Sequence, residues 1–514
     1  MSGKRKTRLA IATAMVLAAT GPVAAQDEPS ETALTIYSSN RPGAVSPDLY
    51  RPVPGQGNYY GNSVPGYAMV RHLRGLNFET GLNHLQFTDV AAYIDPTTVS
   101  FQSLTDPEGT RVLEQSYQFD LVNAQKLMER YIDQRITVDQ GTGSDLVQIE
   151  GRLLSAQGGL ILAGDDGRIH SINSYTNIHF PDLPGGLMTR PTLIWDVAAE
   201  TPGDHDTRVS YQTGGLTWWA DYNLTYRDSD TANSGFLDVG GWVSILNRSG
   251  ASYNDARLKL IAGDVNRATP IPASRVQYAL EEVGVSSLDA AAGFEEQSFF
   301  EFHLYTLGRT TTIAENSTKQ IEFLPQVASV PATKRFVYFG VQPHYGYHGS
   351  PATQRDLGLP MNTKVDVYVE FDNEQEVGLG MPLPAGRIRV SQLDTTDNTL
   401  ELIGEDVIDH TPKDETVVIK LGSAFDVVGE RRQIDFRADY DREWMEETIE
   451  VVLRNHKSEP VEVLVKENLF RWTNNDILQS SHDYERQDAR TVHFPVTVDA
   501  DGEAILQYRV RYTW

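Results

Sequence analysis

The sequence predicts an all-β, multi-domain protein that consists of β-sandwich domains, a small middle β-barrel and a short helical insertion. Strand-length runs of alternating apolar and polar residues recur along most of the chain, separated by turn signals. Tyrosine and phenylalanine are abundant, with 23 and 18 residues, whereas methionine is scarce, with 8 residues, and this balance favours strands over helical bundles. The length of 514 residues exceeds that of one ordinary domain.

Residues 1–25 have the pattern of a secretory signal peptide. Four basic residues lie among the first eight, a short apolar segment runs from Leu9 to Thr20, and small residues precede a cleavage site before Gln26. The apolar segment is shorter than the stretch of about 20 residues that crosses a bilayer as a helix. We therefore expect export through a signal peptide, and a periplasmic or cell-envelope location.

The next two segments differ in composition. Residues 26–65 are rich in Pro, Gly, Ser and Asn and are expected to form a flexible leader with one strand at Leu34–Tyr37. Residues 66–118 alternate as short strands between turn signals, which predicts an N-terminal β domain.

Residues 119–200 are expected to begin with a helix and to continue as a small β-barrel. In the predicted helix, 119–132, Leu127 and Met128 can share one face and Asp120 can act as the N-cap. The strand-sized runs that follow are separated by the turns GTGS, AQGG and GDDG, which are typical of a small barrel or meander.

Residues 205–514 are predicted to form a larger β-sandwich region, with a helix or flexible insertion at 274–283. The chain ends on alternating apolar residues from Leu506 to Trp514. This pattern is similar to the final strand of an outer-membrane β-barrel, and it also fits a terminal strand that closes a sandwich.

Composition excludes several classes of function. The absence of cysteine excludes disulfides, thiolate metal sites and cysteine nucleophiles. The net charge of −26, which loss of the signal peptide makes more negative by four, opposes binding to nucleic acids. No segment after the signal predicts a transmembrane helix. No nucleophile elbow or P-loop occurs, and we expect no cofactor.

Metal sites are not expected either. His344 and His348 are close in sequence, and His205 lies between two aspartates, but zinc needs three or four converging ligands. The acidic turn around Asp394 and Asp397 could supply oxygens to calcium, but it lacks the spacing of the twelve-residue calcium loop. A turn in which these carboxylates accept hydrogen bonds from their own backbone is the preferred interpretation, and calcium binding stays open.

Aromatic residues give the most informative local pattern. Along the strand TWWADYNLTY, Trp218 and Tyr222 share one face and Trp219 points to the other. One tryptophan is expected in the core, and the other could be an exposed platform for a sugar ring or for a partner's apolar residue. Asp409 and His410 form a polar stretch that could orient a loop over a site, or could equally be a turn before the next strand.

Several long segments resemble a bacterial family known as domain of unknown function 4139. The matching stretches are VSYQTGGLTWWADYNLTY (209–226), FFEFHLYTLGRTTTIAENSTKQIEF (299–323), LGMPLPAGRIRV (379–390), GEDVIDHTPKDETVVIKLGSAFDVVGER (404–431) and RNHKSEPVEVLVKENL (454–469). The resemblance covers roughly residues 205–514 and extends more loosely to the N-terminal half. It implies an exported or envelope-associated β protein and no particular activity, so no catalytic residue is transferred.

Together these observations predict an exported envelope protein that binds an envelope protein or a glycan, or contributes to assembly, without catalysis. Two alternatives remain open at this point. One is a hydrolase that attacks envelope polysaccharide or peptide through carboxylates. Glu301 and His303, which are two residues apart on one strand face, could do acid–base work, but an edge pair in a sheet is the preferred interpretation. The other is an outer-membrane β-barrel. The oligomeric state is not predicted.

Overall fold

A computed structural model describes residues 23–24, 29–38, 45–50, 64–118, 122–141, 146–182, 189–263, 294–299, 302–341, 349–358, 362–394 and 396–514. About 65% of the structure is strand and 4% is helix, which confirms the all-β, multi-domain prediction. Among the described residues, the helices are too short or too polar to cross a membrane. Most of the predicted signal peptide, the insertion at 274–283, and Glu301, His344 and His348 lie outside the described residues.

The strands, in chain order, are β1 (Val23–Ala24), β2 (Glu31–Tyr37), β3 (Tyr67–Phe78), β4 (Gly81–Phe87), β5 (Ile94–Ser103), β6 (Thr110–Gln118), β7 (Arg135–Gln140), β8 (Val147–Ser155), β9 (Leu160–Ala163), β10 (Ile169–Ile172), β11 (Asn177–His179), β12 (Thr192–Ala199), β13 (Gly203–Thr213), β14 (Leu216–Asp228), β15 (Ser234–Asn247), β16 (Tyr253–Ala262), β17 (Phe294–Phe299), β18 (Phe302–Ile313), β19 (Ser317–Phe339), β20 (Lys364–Asp372), β21 (Gly386–Leu393), β22 (Leu400–Ile408), β23 (Thr416–Asp439), β24 (Trp444–Asn455), β25 (Val461–Asn468), β26 (Asn475–Ser480), β27 (Glu485–Arg486), β28 (Thr491–Val498) and β29 (Glu503–Thr513). Two α-helices, α1 (Pro47–Tyr50) and α2 (Ala124–Arg130), and two short 3₁₀ turns, Arg355–Gly358 and Gln375–Val377, complete the described elements.

The chain divides into two compact units. The first comprises the described parts of Met1–Thr32, Val70–Thr213 and Ser249–Ala251. It contains the four-stranded sheet β1-β4-β12-β6, the adjacent strands β3-β13-β5, and a separate five-stranded sheet. Strand β12 follows the five-stranded sheet in sequence and pairs with both β4 and β6, so it completes a sheet that begins much earlier in the chain.

The middle region is an open sheet rather than the small closed barrel predicted from its turns. Its strand order is β10-β9-β8-β7-β11, with β10 and β11 at the two ends. The predicted helix is present as α2, but its N-cap is Asn123, whose side chain accepts a hydrogen bond from the Lys126 N–H at 2.9 Å. Asp120, the expected cap, lies outside the described residues. Tyr131, just after the helix, is buried against Leu153 and the other apolar residues of this sheet.

The second unit comprises the described parts of Ala33–Met69, Gly214–Arg248 and Ser252–Trp514. Most of it is one thirteen-stranded sheet whose main path is β22-β21-β14-β15-β19-β20-β23-β24-β29-β26. At one end, β22 turns back beside β23, where the Lys420 N–H donates to the Asp406 carboxylate at 2.7 Å. The predicted strand at Leu34–Tyr37 lies within β2, which pairs in parallel with β16.

The last third of this unit folds as a sandwich. Strands β25 and β28 branch from β19 and pack over β24 and β29, and the space between them is filled by apolar side chains. The terminal alternation faces this core: Leu506, Tyr508, Val510 and Tyr512 are each no more than 1% exposed. Their period of two follows from the pleat of β29, since successive side chains point to opposite faces.

Two charged groups lie inside the same core. Arg431 donates through Nε to Glu467 at 2.9 Å, and the hydroxyl of Tyr508 donates to the same carboxylate oxygen. A second group with the same composition consists of Arg471, Glu447 and Tyr512. The arginine and glutamate side chains of both pairs are at most 1% exposed. Buried charges require partners of this kind, because an unpaired charge in the interior is expensive.

Candidate functional site

Two of the predicted site residues belong to the core of the second unit. Trp218 and Tyr222 alternate along β14 and are each 1% exposed. The Trp218 indole N–H donates to the Ile261 carbonyl at 3.3 Å, and the Tyr222 hydroxyl donates to the Pro384 carbonyl at 2.8 Å. Burial raises the pKa of Tyr222 well above its ordinary value. Both side chains therefore stabilise the fold and do not meet solvent.

Trp219 points to the opposite face of β14, as the alternation predicts, and is half-buried. Helix α1 covers it, with the Tyr50 ring 5.1 Å from the Trp219 ring and tilted by 41°. The helix is held in place by Leu49, which packs against Leu246 and whose carbonyl accepts a hydrogen bond from Arg248 at 2.6 Å. In this arrangement Trp219 does not offer an open platform.

The other predicted pair, Asp409 and His410, is exposed and follows β22. His410 accepts a hydrogen bond at Nδ1 from the Ala385 N–H at 3.1 Å. The neighbouring residue Thr411 forms an antiparallel bridge with Leu383. The segment therefore braces the loop before β21, which is the turn-like role considered for it.

A second tryptophan lies on the same face as Trp219. We define the outer face as the side of strands β22, β21, β14, β15 and β19 on which Trp219 lies. Strand register places Arg387, Asp221, Trp242 and Glu322 directly beside one another across four of these strands. We call these four residues the Trp242 row. Neighbouring strands are about 4.8 Å apart, so the row spans about 14 Å. Trp242 is 39% exposed.

Asp221 anchors this row. It is only 7% exposed, and its Oδ2 accepts hydrogen bonds from the Trp219 indole at 2.7 Å and from the Ser244 hydroxyl at 2.8 Å. Its Oδ1 lies 3.5 Å from a guanidinium nitrogen of Arg389, which also donates to Glu405 at 2.8 Å. The carboxylate therefore joins three strands beside Trp242 and holds the backbone and side chains around it in fixed positions.

Three of the polar side chains around Trp242 can form further hydrogen bonds. Arg387, Glu322 and the exposed amide of Asn223 make no hydrogen bond or ion pair within the described part of the chain. Asn223 is in register with Gly240, which lies two residues from Trp242 on the same face. A Cβ placed on Gly240 would meet no atom closer than 3.8 Å, so the surface beside the indole is open.

Sequence reasoning missed Trp242 and Asp221, although a signal was present. Within DVGGWVSILN, the residues that alternate with Trp242 are Gly240 and Ser244, whereas the other face carries Val239 and Val243. A tryptophan on the small, polar face of a strand is a candidate for exposure. The partners Glu322 and Arg387 come from distant parts of the chain, and local patterning does not reveal them.

The histidine and acidic candidates have structural partners. His205 is 1% exposed, accepts from the Ser103 hydroxyl at Nδ1 and contacts the Thr201 carbonyl through Nε2. His303 pairs with Glu296 at 2.7 Å. In the described ranges, no group of three or more His, Cys, Asp or Glu side chains is placed to hold a metal ion.

The acidic turn uses its carboxylates locally. Asp394 accepts hydrogen bonds from the Thr396 N–H at 2.7 Å, and Asp397 accepts from the N–H and the hydroxyl of Thr399 at 3.0 and 2.7 Å. These bonds lower the pKa of both carboxyls. This is the geometry in which aspartate stabilises its own turn.

No protein-family model matches the chain, and no curated protein matches it either. The resemblance to the family known as domain of unknown function 4139 stays a prediction, and the function has to be argued from the geometry of the Trp242 row.

Proposed function

We propose that this protein is an exported, envelope-associated binding protein without catalytic activity, and that the Trp242 row is its binding surface. The observation that carries the proposal is an exposed indole close to three polar side chains, Arg387, Glu322 and Asn223, that make no side-chain hydrogen bond or ion pair in the described part of the chain. Export is inferred from the signal-peptide pattern of residues 1–25.

An exposed indole is a strong source of binding energy. A tryptophan that is 39% exposed leaves roughly 100 Å² of mostly apolar surface in water, and covering it is worth ~2 kcal/mol. Aromatic side chains of this kind are the usual energetic centres of binding surfaces. The hydrogen bonds of Asp221 hold the sheet around the indole in place, so binding costs little conformational entropy.

The same geometry favours binding over carboxylate-dependent hydrolysis. Asp221 is the carboxylate next to Trp242, and it already accepts two hydrogen bonds and faces a guanidinium. A general base needs a lone pair directed at the substrate, and a carboxylate engaged in this way has little capacity left for that role. Glu322 is on the other side of the indole, and the other acid in the row is this same Asp221, two strands or about 10 Å away.

The proposal is tested by sedimentation of the purified mature protein with isolated cell envelopes. We expect Trp242→Ala to weaken binding about tenfold or more, since the lost burial is worth ~2 kcal/mol. Phe236→Ala is the matched control, because Phe236 lies on the same strand and face and is also 39% exposed, but is about 20 Å away. Equal binding by the Trp242→Ala variant and the unmodified protein would contradict the proposal, as would turnover of an envelope substrate that Glu322→Gln abolishes.

A further inference from the structure

We infer that the ligand of the Trp242 row is a glycan built from pyranose rings with free neighbouring hydroxyl groups. This inference rests on the proposed function and names the class of ligand. It follows from the mixture of one flat apolar ring with acceptors and donors of hydrogen bonds. A pyranose has the complementary character, with a face of C–H groups and a rim of hydroxyls.

The first step of the argument concerns the apolar contact. Trp242 is flanked in its row by Asp221 and Glu322, and along its own strand by Gly240 and Ser244. The indole is therefore flanked by polar or small residues in its row and along its strand, while Trp219, its diagonal neighbour on β14, is half-buried under helix α1. A protein partner is usually held by a cluster of apolar side chains whose edge is polar, and such a cluster is not what surrounds Trp242.

The second step concerns the polar groups. Glu322 offers only acceptors, Arg387 offers only donors, and the amide of Asn223 offers both. Glu322 and Arg387 lie at opposite ends of the row, about 14 Å apart, so different hydroxyl groups of a sugar chain would donate to the carboxylate and accept from the guanidinium or the amide. These three side chains make no hydrogen bond or ion pair within the described residues, so they can bind hydroxyls without first breaking a contact.

The third step concerns space. Gly240 leaves the surface beside the indole open, and it is about 7 Å from Trp242 along the strand. A second ring of a linear chain can lie over Gly240, with Asn223 at its edge, while the first ring stacks on Trp242. This surface thus suits a chain of sugars laid along β15 better than a single small molecule, which a flat surface would bury only in part.

The experiment uses envelopes treated in two ways before sedimentation with the mature protein. Protease digestion removes proteins and leaves glycans, whereas periodate oxidation cleaves the bond between carbons that carry adjacent hydroxyls. We expect binding to survive protease and to fall about tenfold after periodate, because covering the indole and pairing its polar neighbours both require the intact ring. The Trp242→Phe variant should bind between the unmodified protein and Trp242→Ala, and Phe236→Ala should bind normally.

The outcomes separate the inference from the proposed function. Binding could be lost after protease, survive periodate and still depend on Trp242. That result would overturn the inference that the ligand is a glycan, but it would leave the proposed binding surface in place. Binding that is indifferent to Trp242→Ala would overturn both. As a direct measurement, affinity electrophoresis through gels that contain a neutral hexose polymer should retard the unmodified protein and Phe236→Ala more than Trp242→Ala. Equal mobility of the three proteins across a panel of neutral, amino-sugar and acidic polysaccharides would overturn the inference.

Discussion

The buried pair of Arg431 and Glu467 gives the sharpest test of what holds the second unit together. The two side chains are 1% and 0% exposed, and Nε and Oε2 are 2.9 Å apart. Tyr508 donates to the same oxygen at 2.5 Å. Burial alone would lower the pKa of Arg431, but its electrostatic interactions with Glu467, Tyr508 and Glu447 and its hydrogen bond to Glu467 together outweigh burial and raise the pKa above its ordinary value. Replacing Arg431 by methionine keeps an unbranched side chain as far as the position of Nε and removes this charge.

The expected cost of Arg431→Met is large. Breaking a buried ion pair by removing one partner costs about 3–5 kcal/mol, because the remaining charge is left without compensation. A protein's free energy of unfolding is typically only ~5–15 kcal/mol, so this single change removes a substantial part of it. Adding Glu467→Gln should recover at least half of the loss. The amide is neutral, and its oxygen still accepts the Tyr508 hydroxyl.

The measurement is urea unfolding of the chain without the predicted signal peptide, combined with amide hydrogen exchange in peptides from β24, β25 and β29. The matched control is Arg335→Met, which breaks the 2.5 Å pair with Glu370 at the surface, where Arg335 is 43% exposed. Exposed pairs contribute about 0.2–1 kcal/mol, so the control should change stability little. The reasoning would be refuted if Arg431→Met and Arg335→Met had similar costs, or if adding Glu467→Gln to Arg431→Met made the protein less stable still.

Three further predictions concern other parts of the molecule. Tyr50→Ala should uncover Trp219 and increase the quenching of tryptophan fluorescence by acrylamide; unchanged quenching would mean that the helix α1 does not shield the ring in solution. Burial, followed by the charge of Arg74, lowers the pKa of His72 from 6.5 to about 4. As pH falls, His72 therefore takes up a proton in the unfolded chain before it does so in the folded protein, and up to about 3 kcal/mol of the free energy of unfolding should be lost between pH 6.5 and pH 4. The urea midpoint of the His72→Gln variant should fall less steeply over this range than that of the unmodified protein. Equal slopes would contradict the assignment of this pH dependence to His72. Arg471→Lys should speed amide exchange in residues 349–358. The guanidinium of Arg471 donates to the Ala352 and Gln354 carbonyls at 2.8 Å, and a lysine ammonium lacks the planar set of donors of a guanidinium. Unchanged exchange in this segment would show that these hydrogen bonds do not hold it in place.

Period-two patterns allowed much of the fold to be predicted. The two faces of β14 and the core-facing residues of β29 follow directly from alternation, since the pleat assigns successive side chains to opposite sides. The helix α2 was also predictable from local spacing, although its cap was not, because Asn123 and Asp120 are both suitable caps and only the geometry distinguishes them. Whether the middle strands closed into a barrel depended on pairing between β10 and β11, which no local pattern determines.

The candidate site was harder to predict because its members meet through long-range register. Strand alternation allowed Trp219 to be an exposed platform. In the structure, however, Tyr50, which is far away in sequence, lies over it. Trp242 is beside Glu322 and Asp221 only because β15 pairs with β19 and β14 in one particular register. A shift of one residue would exchange the core and outer faces of the strand. The alternation along β15 can be recognised from a single sequence, but the register in which β15 pairs with β14 and β19 cannot.

Strands β19 and β23 have a practical consequence for dissecting this protein. They are 23 and 24 residues long, and each spans about 75 Å if straight. β19 pairs first with β15 and then with β20 and β25, while β23 pairs with β20 and then with β24. The strands that carry the Trp242 row and the strands of the terminal sandwich therefore share the continuous backbone of β19, and β23 joins β20 to the sandwich strand β24. An expression fragment that starts or stops within residues 317–339 or 416–439 would cut through one of these two strands, so the two regions should be expressed, truncated and engineered as one piece.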